Sequence, residues 1–178
     1  MKKQILIMAC AALGFAACSG GDSSNTATTE TPAETPAAPE ENSGSEFVTV
    51  NGDTTSVHIT GNDEMKFNLK SITVKEGQII KLTMSNEGTQ PIETMGHNFI
   101  LLKPGTDIMD YANKAASAKA EDYIPAAEQG SVLAHTKLLG PGESDTIIIA
   151  APAAGEYEYL CSFPGHVAVM RGILIVEK

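Results

Sequence analysis

Short runs in which apolar and polar side chains alternate dominate residues 46–178, and this alternation restricts the fold more than any other feature. The runs cover residues 56–60, 65–74, 79–84, 98–102, 146–149, 157–160 and 173–176. A period of two, or a short apolar run, is the pattern of strands that turn one face to a core. Turn-forming residues separate them: Gly61-Asn62-Asp63, Glu76-Gly77, Glu87-Gly88, Pro141-Gly142 and Ala154-Gly155. Seven or eight short strands in a stretch the size of one domain predict an all-β Greek-key sandwich of two sheets. Residues 107–120 break the pattern. Asp107 heads a run of helix formers there, so a single short helix inserted between strands is expected.

The N-terminal part of the chain reads differently. Residues 1–17 have Lys2 and Lys3, an apolar run from Ile5 to Leu13, and Phe15-Ala16-Ala17 before Cys18, which is the layout of an export signal. The apolar run is shorter than the ~20 residues needed to span a bilayer. Phe15-Ala16-Ala17-Cys18 resembles the lipobox of bacterial lipoproteins, with Phe15 in place of the usual Leu. That resemblance implies cleavage before Cys18 and lipidation of Cys18. Residues 18–45 are then a lipidated tether rich in Ser, Thr, Pro and Glu with almost nothing to bury, expected to be disordered. Its flexible part would reach roughly 30 Å as a random coil. Loss of Lys2 and Lys3 leaves 10 basic against 22 acidic side chains, a formal charge of -12. Such a surface argues against nucleic-acid binding and against holding anionic lipid by charge, so the membrane attachment rests on the acyl chains of Cys18.

Of the three cysteines, Cys10 leaves with the signal and Cys18 is acylated, so Cys161 is the lone free thiol of an exported protein. An unpaired thiol outside the cytosol calls for a reason. Its neighbours supply one: Cys161-Ser162-Phe163-Pro164-Gly165-His166 is followed by Met170. Thiol, imidazole and thioether within ten residues are soft donors that suit copper, and a second imidazole would complete the set. His97, before the 98–102 run, is the best candidate, with His135 in reserve; His58, in mid-strand, reads as structural. Each residue alone has an ordinary reading, a core Met or an inert buried Cys. Their spacing is what raises them together. Zinc could enter the same strong donors, but a Met in fourth place favours copper.

These residues resemble a family. Gly61-Asn62-Asp63-Glu64-Met65-Lys66-Phe67, Met95-Gly96-His97-Asn98, the stretch from Val132 to Gly140, and the Cys161–Met170 cluster are similar to the azurins, bacterial cupredoxins that carry electrons on one type 1 (blue) copper ion. The resemblance implies that His97, Cys161 and His166 are strong ligands, that Met170 is axial, and that the Gly96 carbonyl approaches from the opposite side. It implies further that Asn98 and Ser162 fix the ligand loops, that Phe163 shields the metal, and that His135 is not a ligand. Three departures are visible: Thr55 stands where the family has the first Cys of a disulfide, Asn86 where many members have a redox-coupled histidine, and Phe99 where a buried Trp is common. The tether is extra to soluble azurins and is similar to membrane-anchored members such as the auracyanins.

A lipid-anchored monomeric electron carrier, not an enzyme, is therefore expected in a bacterial membrane, its domain exported to the periplasm or cell surface. The electron would pass through His166, whose ring edge is expected at the surface among Met65, Met95, Pro164, Ala168 and Val169, where redox partners dock weakly. The alternative is a protein that stores or delivers copper without redox work. Too few histidines remain for the second metal a copper enzyme would need.

Overall fold

The structure is a computed structural model and describes residues 46–178; the signal peptide, the lipidated Cys18 and the tether expected over residues 1–45 lie outside the described residues. Strands β1 (Val48–Asn51), β2 (Thr54–Gly61), β4 (Ile79–Asn86) and β7 (Ser144–Ala150) form one sheet in the order β1-β2-β4-β7. The other contains β3 (Ser71–Lys75), β9 (Arg171–Glu177), β8 (Gly155–Leu160), β5 (Ile100–Leu102) and β6 (Val132–His135), in the order β3-β9-β8-β5-β6. The β2–β4 and β3–β9 pairs are parallel and the others antiparallel. The chain thus alternates between two mixed sheets, the all-β sandwich that the alternation predicts.

Inward side chains two residues apart along the central strands meet in a core between the sheets. Val57 and Ile59 of β2 and Ile80, Leu82 and Met84 of β4 pack with Ile72, Val74, Tyr157, Tyr159, Leu174 and Val176 of the other sheet. Strand β5 is buried on both faces: Leu101 joins this core, while Ile100 and Leu102 pack under helix α2 (Ile108–Ala116) with Leu160 and Val167. The helix presents Ile108, Tyr111, Ala112 and Ala115, the i, i+3, i+4, i+7 stripe of an amphipathic surface helix. Asp107 caps it by accepting from the Met109 and Asp110 amides, both at 2.9 Å.

Several boundaries differ from the sequence reading. The inserted helix ends at Ala116, and residues 119–121 form a separate 3-10 turn. A further short helix, α1 (Ile92–Met95), lies between Pro91 and Gly96. Residues 65–74 are not one strand, because Met65 has a left-handed backbone (φ 56°) and regular pairing begins only at Ser71. In between, the Asn68 side chain accepts from the Thr60 amide at 2.7 Å and donates to the His58 carbonyl at 3.2 Å, filling positions that a ladder would otherwise use. Phe67 and Leu69 are nonetheless buried.

Candidate metal centre

The three strong donors come from three places on the chain and converge at one end of the sandwich. Cys161 directly follows β8, and its amide donates to the Met170 carbonyl at 3.0 Å. That bond closes the loop between β8 and β9 and draws both ends of the Cys–His–Met segment together. Gly165, at φ 85°, makes the left-handed turn needed to start the 3-10 turn His166–Ala168. Met170 then donates back to the His166 carbonyl at 2.8 Å. His97 lies before β5 and is clamped by a two-way backbone bridge with Leu139, at 3.1 and 2.8 Å.

The donor atoms of His97, Cys161 and His166 all lie within 4.8 Å of one another, and all three residues are buried. Cys161 Sγ stands 3.5 Å from His166 Nδ1 and 4.0 Å from His97 Nδ1. His97 Nε2 is 3.0 Å from the Asn62 carbonyl. A carbonyl can only accept, so Nε2 carries the proton and Nδ1 offers its lone pair to the cluster. Met170 is fully buried. A Cβ built on Gly61 would come within 2.6 Å of the Met170 methyl and 3.1 Å of His97 Cδ2, so the thioether and this imidazole lie against the same glycine.

Burial sets the protonation of the cluster. It lowers both imidazoles, His166 to about 4 with the nearby His97 adding to the effect, and His97 against the opposing pull of the Asn62 carbonyl and Asp63. Both rings are neutral at pH 7 and keep a lone pair available. Burial pushes the Cys161 thiol up to about 11, opposed by hydrogen bonds from the Asn98 and Phe163 amides. A bound cation would displace that thiol proton. Two neutral imidazoles, a thiol and a neighbouring thioether, closely packed and shielded from water, fit a copper ion.

Hydrogen bonds tie the two loops of the cluster together. Asn98 donates to Ser162 Oγ at 2.8 Å and accepts from the Ser162 amide at 2.9 Å. Ser162 Oγ in turn donates to the Tyr123 carbonyl at 2.7 Å. Asp122 and Tyr123 are both left-handed, at φ 53° and 60°, which costs a non-glycine residue about 1–2 kcal/mol and turns the Tyr123 carbonyl toward Ser162. Phe163 lies 4.7 Å from the His166 ring and 5.0 Å, edge-on, from Tyr123. Asn86 is buried and donates to the Leu139 carbonyl at 3.0 Å, bracing the strap that holds His97. Thr55 donates to Gln78 at 2.9 Å, and Phe99 is buried 5.2 Å from Tyr159.

Gly96 is buried, extended and directly before His97. His58 and His135 stand outside the donor cluster, bonded to Ser85 Oγ and the Thr136 carbonyl. Of the expected docking residues, Pro164, Ala168 and Val169 are exposed, and Met65 and Met95 partly so. His166 itself is a correction. Its ring edge does not open to solvent, for the residue is only 2% exposed, tucked into its own turn and against Phe163. Sequence reasoning missed Asn62, Tyr123 and Leu139. All three act through backbone carbonyls, which any residue type supplies, so no composition signal marks them.

Comparison with known proteins gives the same reading. The family of copper binding proteins described as plastocyanin/azurin matches residues 47–177. Azurin-1 of Alcaligenes xylosoxydans xylosoxydans is 39% identical over 123 residues, covering 67% of this chain and 95% of that protein. Outer membrane protein H.8 of Neisseria meningitidis serogroup B is 38% identical over 117 residues, covering 64% of this chain and 63% of that protein. A solved structure of dithionite-reduced auracyanin from the photosynthetic bacterium Roseiflexus castenholzii is similar at a TM-score of 0.63 and 34% identity, covering 69% of this chain and 97% of that one. The match runs through both loops that carry the donor cluster, and the chain therefore belongs to the plastocyanin/azurin family of copper binding proteins, as an azurin-like cupredoxin with copper as its cofactor.

Proposed function

We propose that this protein is a membrane-anchored carrier of single electrons, with its copper held by His97, Cys161 and His166 and the set completed by Met170 and the Gly96 carbonyl. The observation that carries this reading is the buried convergence of three soft donors within 4.8 Å. Copper, when bound, supplies a one-electron couple between Cu(II) and Cu(I). The chain supplies fixed positions: the Leu139 bridge holds His97, the Cys161–Met170 bond closes the second loop, and the Asn98–Ser162 pair ties the two loops together. Ligands held this firmly rearrange little when the charge of the ion changes, which is what fast electron exchange requires. Phe163 excludes water from the His166 side.

Burial also argues against a delivery protein, which needs an exposed, exchangeable site. The copper-loaded protein is expected to give a reversible one-electron wave in voltammetry and to lose copper to a strong chelator over hours. Copper surrendered in seconds with no reversible wave would favour storage or delivery instead. The lipobox-like Phe15-Ala16-Ala17-Cys18 and the tether support lipid anchoring, and a relative named as an outer membrane protein is consistent with it. Cys18→Ser is expected to move the protein out of the membrane fraction; unchanged fractionation would remove the anchor from the account. Partners would meet the exposed Pro164, Ala168 and Val169 beside His166, and the tether would offset weak docking by raising local concentration.

A further inference from the structure

We propose that the hollow beside Val169 is a docking site for a carboxylate-rich face of a redox partner protein, gripped by Lys66, Lys70 and Arg171. The inference deepens the reading above and rests on it, since it takes the electron to pass at the His166 end. The hollow, of about 420 Å³, is lined by Lys66, Lys70, Ala168, Val169 and Arg171. Residues 46–178 contain 10 basic side chains against 17 acidic ones. Three of those 10 gather at this one place, and two of the expected docking residues share its wall.

The cations are built into the electron-transfer end. Lys70 Nζ donates to the Val169 carbonyl at 2.6 Å, on the loop between His166 and Met170. Arg171 follows Met170 directly and opens β9. Lys70 is pushed below the ordinary lysine value by partial burial, then by the charges of Lys66 and Arg171, so the three charges feel one another. Among the described residues neither Lys70 nor Arg171 has an ion-pair partner. Lys66 pairs with Glu64 at 3.0 Å, but both side chains are well exposed, and such a pair is readily exchanged for an incoming carboxylate. Asp63 is not among the residues that line the hollow, and its carboxylate accepts from the Thr89 and Gln90 amides. Like charges held together on an acidic molecule are stabilised by an opposite charge brought to them, which steers encounter and fixes orientation. The negative surface elsewhere disfavours an anionic membrane, which would have to approach a much larger area than a protein patch does.

The sign of a salt effect tests this. Oxidation of the reduced, copper-loaded full chain by hexacyanoferrate(III), a trianion, should accelerate with salt if only the net negative charge matters. Local attraction predicts the reverse, a rate falling about tenfold as the screening length shrinks from roughly 30 Å at 0.01 M salt to 10 Å at 0.1 M. The variant Lys66→Gln/Lys70→Gln/Arg171→Gln should abolish that fall while keeping its visible absorption, which reports an intact site. In the diamagnetic reduced protein, a deca-glutamate peptide should shift the amide resonances of Lys66, Ala168, Val169 and Arg171. A rate that rises with salt, or peptide shifts elsewhere or nowhere, would overturn the proposal. So would shifts at these amides caused by phosphatidylglycerol vesicles and not by the peptide, which would make a membrane the occupant. Ala168→Trp separates the two readings. It should slow oxidation both by hexacyanoferrate and by neutral benzoquinone; if it slows neither, the His166 exit itself fails, whereas loss of the salt effect alone overturns only the docking proposal.

Discussion

A Cβ at Gly61 would meet the Met170 methyl at 2.6 Å and His97 Cδ2 at 3.1 Å. The thioether is flexible and can yield, while His97 is held at both its backbone and its Nε2, so Gly61→Ala is expected to fold and bind copper but to shift the visible spectrum; an unchanged spectrum would place Met170 outside the site. Asn98→Ala leaves the buried Ser162 amide without its acceptor, at a cost of about 1–3 kcal/mol, measurable as a lower denaturant midpoint. The histidines make the copper-free protein acid-sensitive. With both folded-state values lowered, the unfolded chain binds protons that the folded chain refuses, so stability is full above about 6.5, the ordinary histidine value, and drains away as pH falls toward about 4. Denaturant midpoints of the copper-free protein at pH 7 and pH 5 should show the loss, and copper-free His166→Gln should show less of it. At this scale the side-chain ligands were legible because Cys161, His166 and Met170 crowd into one loop. The carbonyls of Asn62, Tyr123 and Leu139 were not, because they meet their targets 35, 39 and 42 residues away in sequence.

Strand alternation reported burial more faithfully than pairing. Phe67 and Leu69 are buried as the pattern requires, yet with the left-handed Met65 and the Asn68 side chain residues 65–70 form only an isolated bridge, Gly61–Phe67, and no regular strand. Two strands lie outside the alternating runs for one reason, that both are sheet edges with no fully buried side chain. Val48–Asn51 is a mostly exposed edge with no buried side to alternate, and Val132–His135 is a sheet edge whose side chains are only half-buried or exposed. The parallel β3–β9 pairing depends on one close approach. A Cβ at Gly172 would collide with the Tyr159 ring and lie 2.6 Å from the Lys70 carbonyl, which accepts from the Ile173 amide. Tyr159 is fully buried and donates to Leu69 O at 2.9 Å, so it has nowhere to go. Gly172→Ala should therefore destabilise by about 1–3 kcal/mol, the usual range for overpacking, with copper retained. A midpoint equal to that of the parent would contradict the packing.

Residues 46–178 form a two-sheet frame that carries the donor cluster at one end. Non-sequential strand order brings the His97 strap and the Cys161–Met170 loop together there, and that convergence is a product of topology that no local window of sequence contains. The expectation that His97 supplies the second imidazole needed the resemblance as well as the spacing, since His135 was the reserve on spacing alone. Charge follows the same division: the chain is acidic overall, with a formal net charge of -10, and only the fold shows three cations gathered beside Val169. In this frame Cys161 thiolate, with His97, His166 and Met170, is expected to hold a redox-active copper ion. Visible absorption of the Cu(II)-loaded protein tests it most directly. An intense blue thiolate-to-copper band, abolished in Cys161→Ser, is the expected result; a colourless protein that retains zinc, or a band that survives Cys161→Ser, would contradict it.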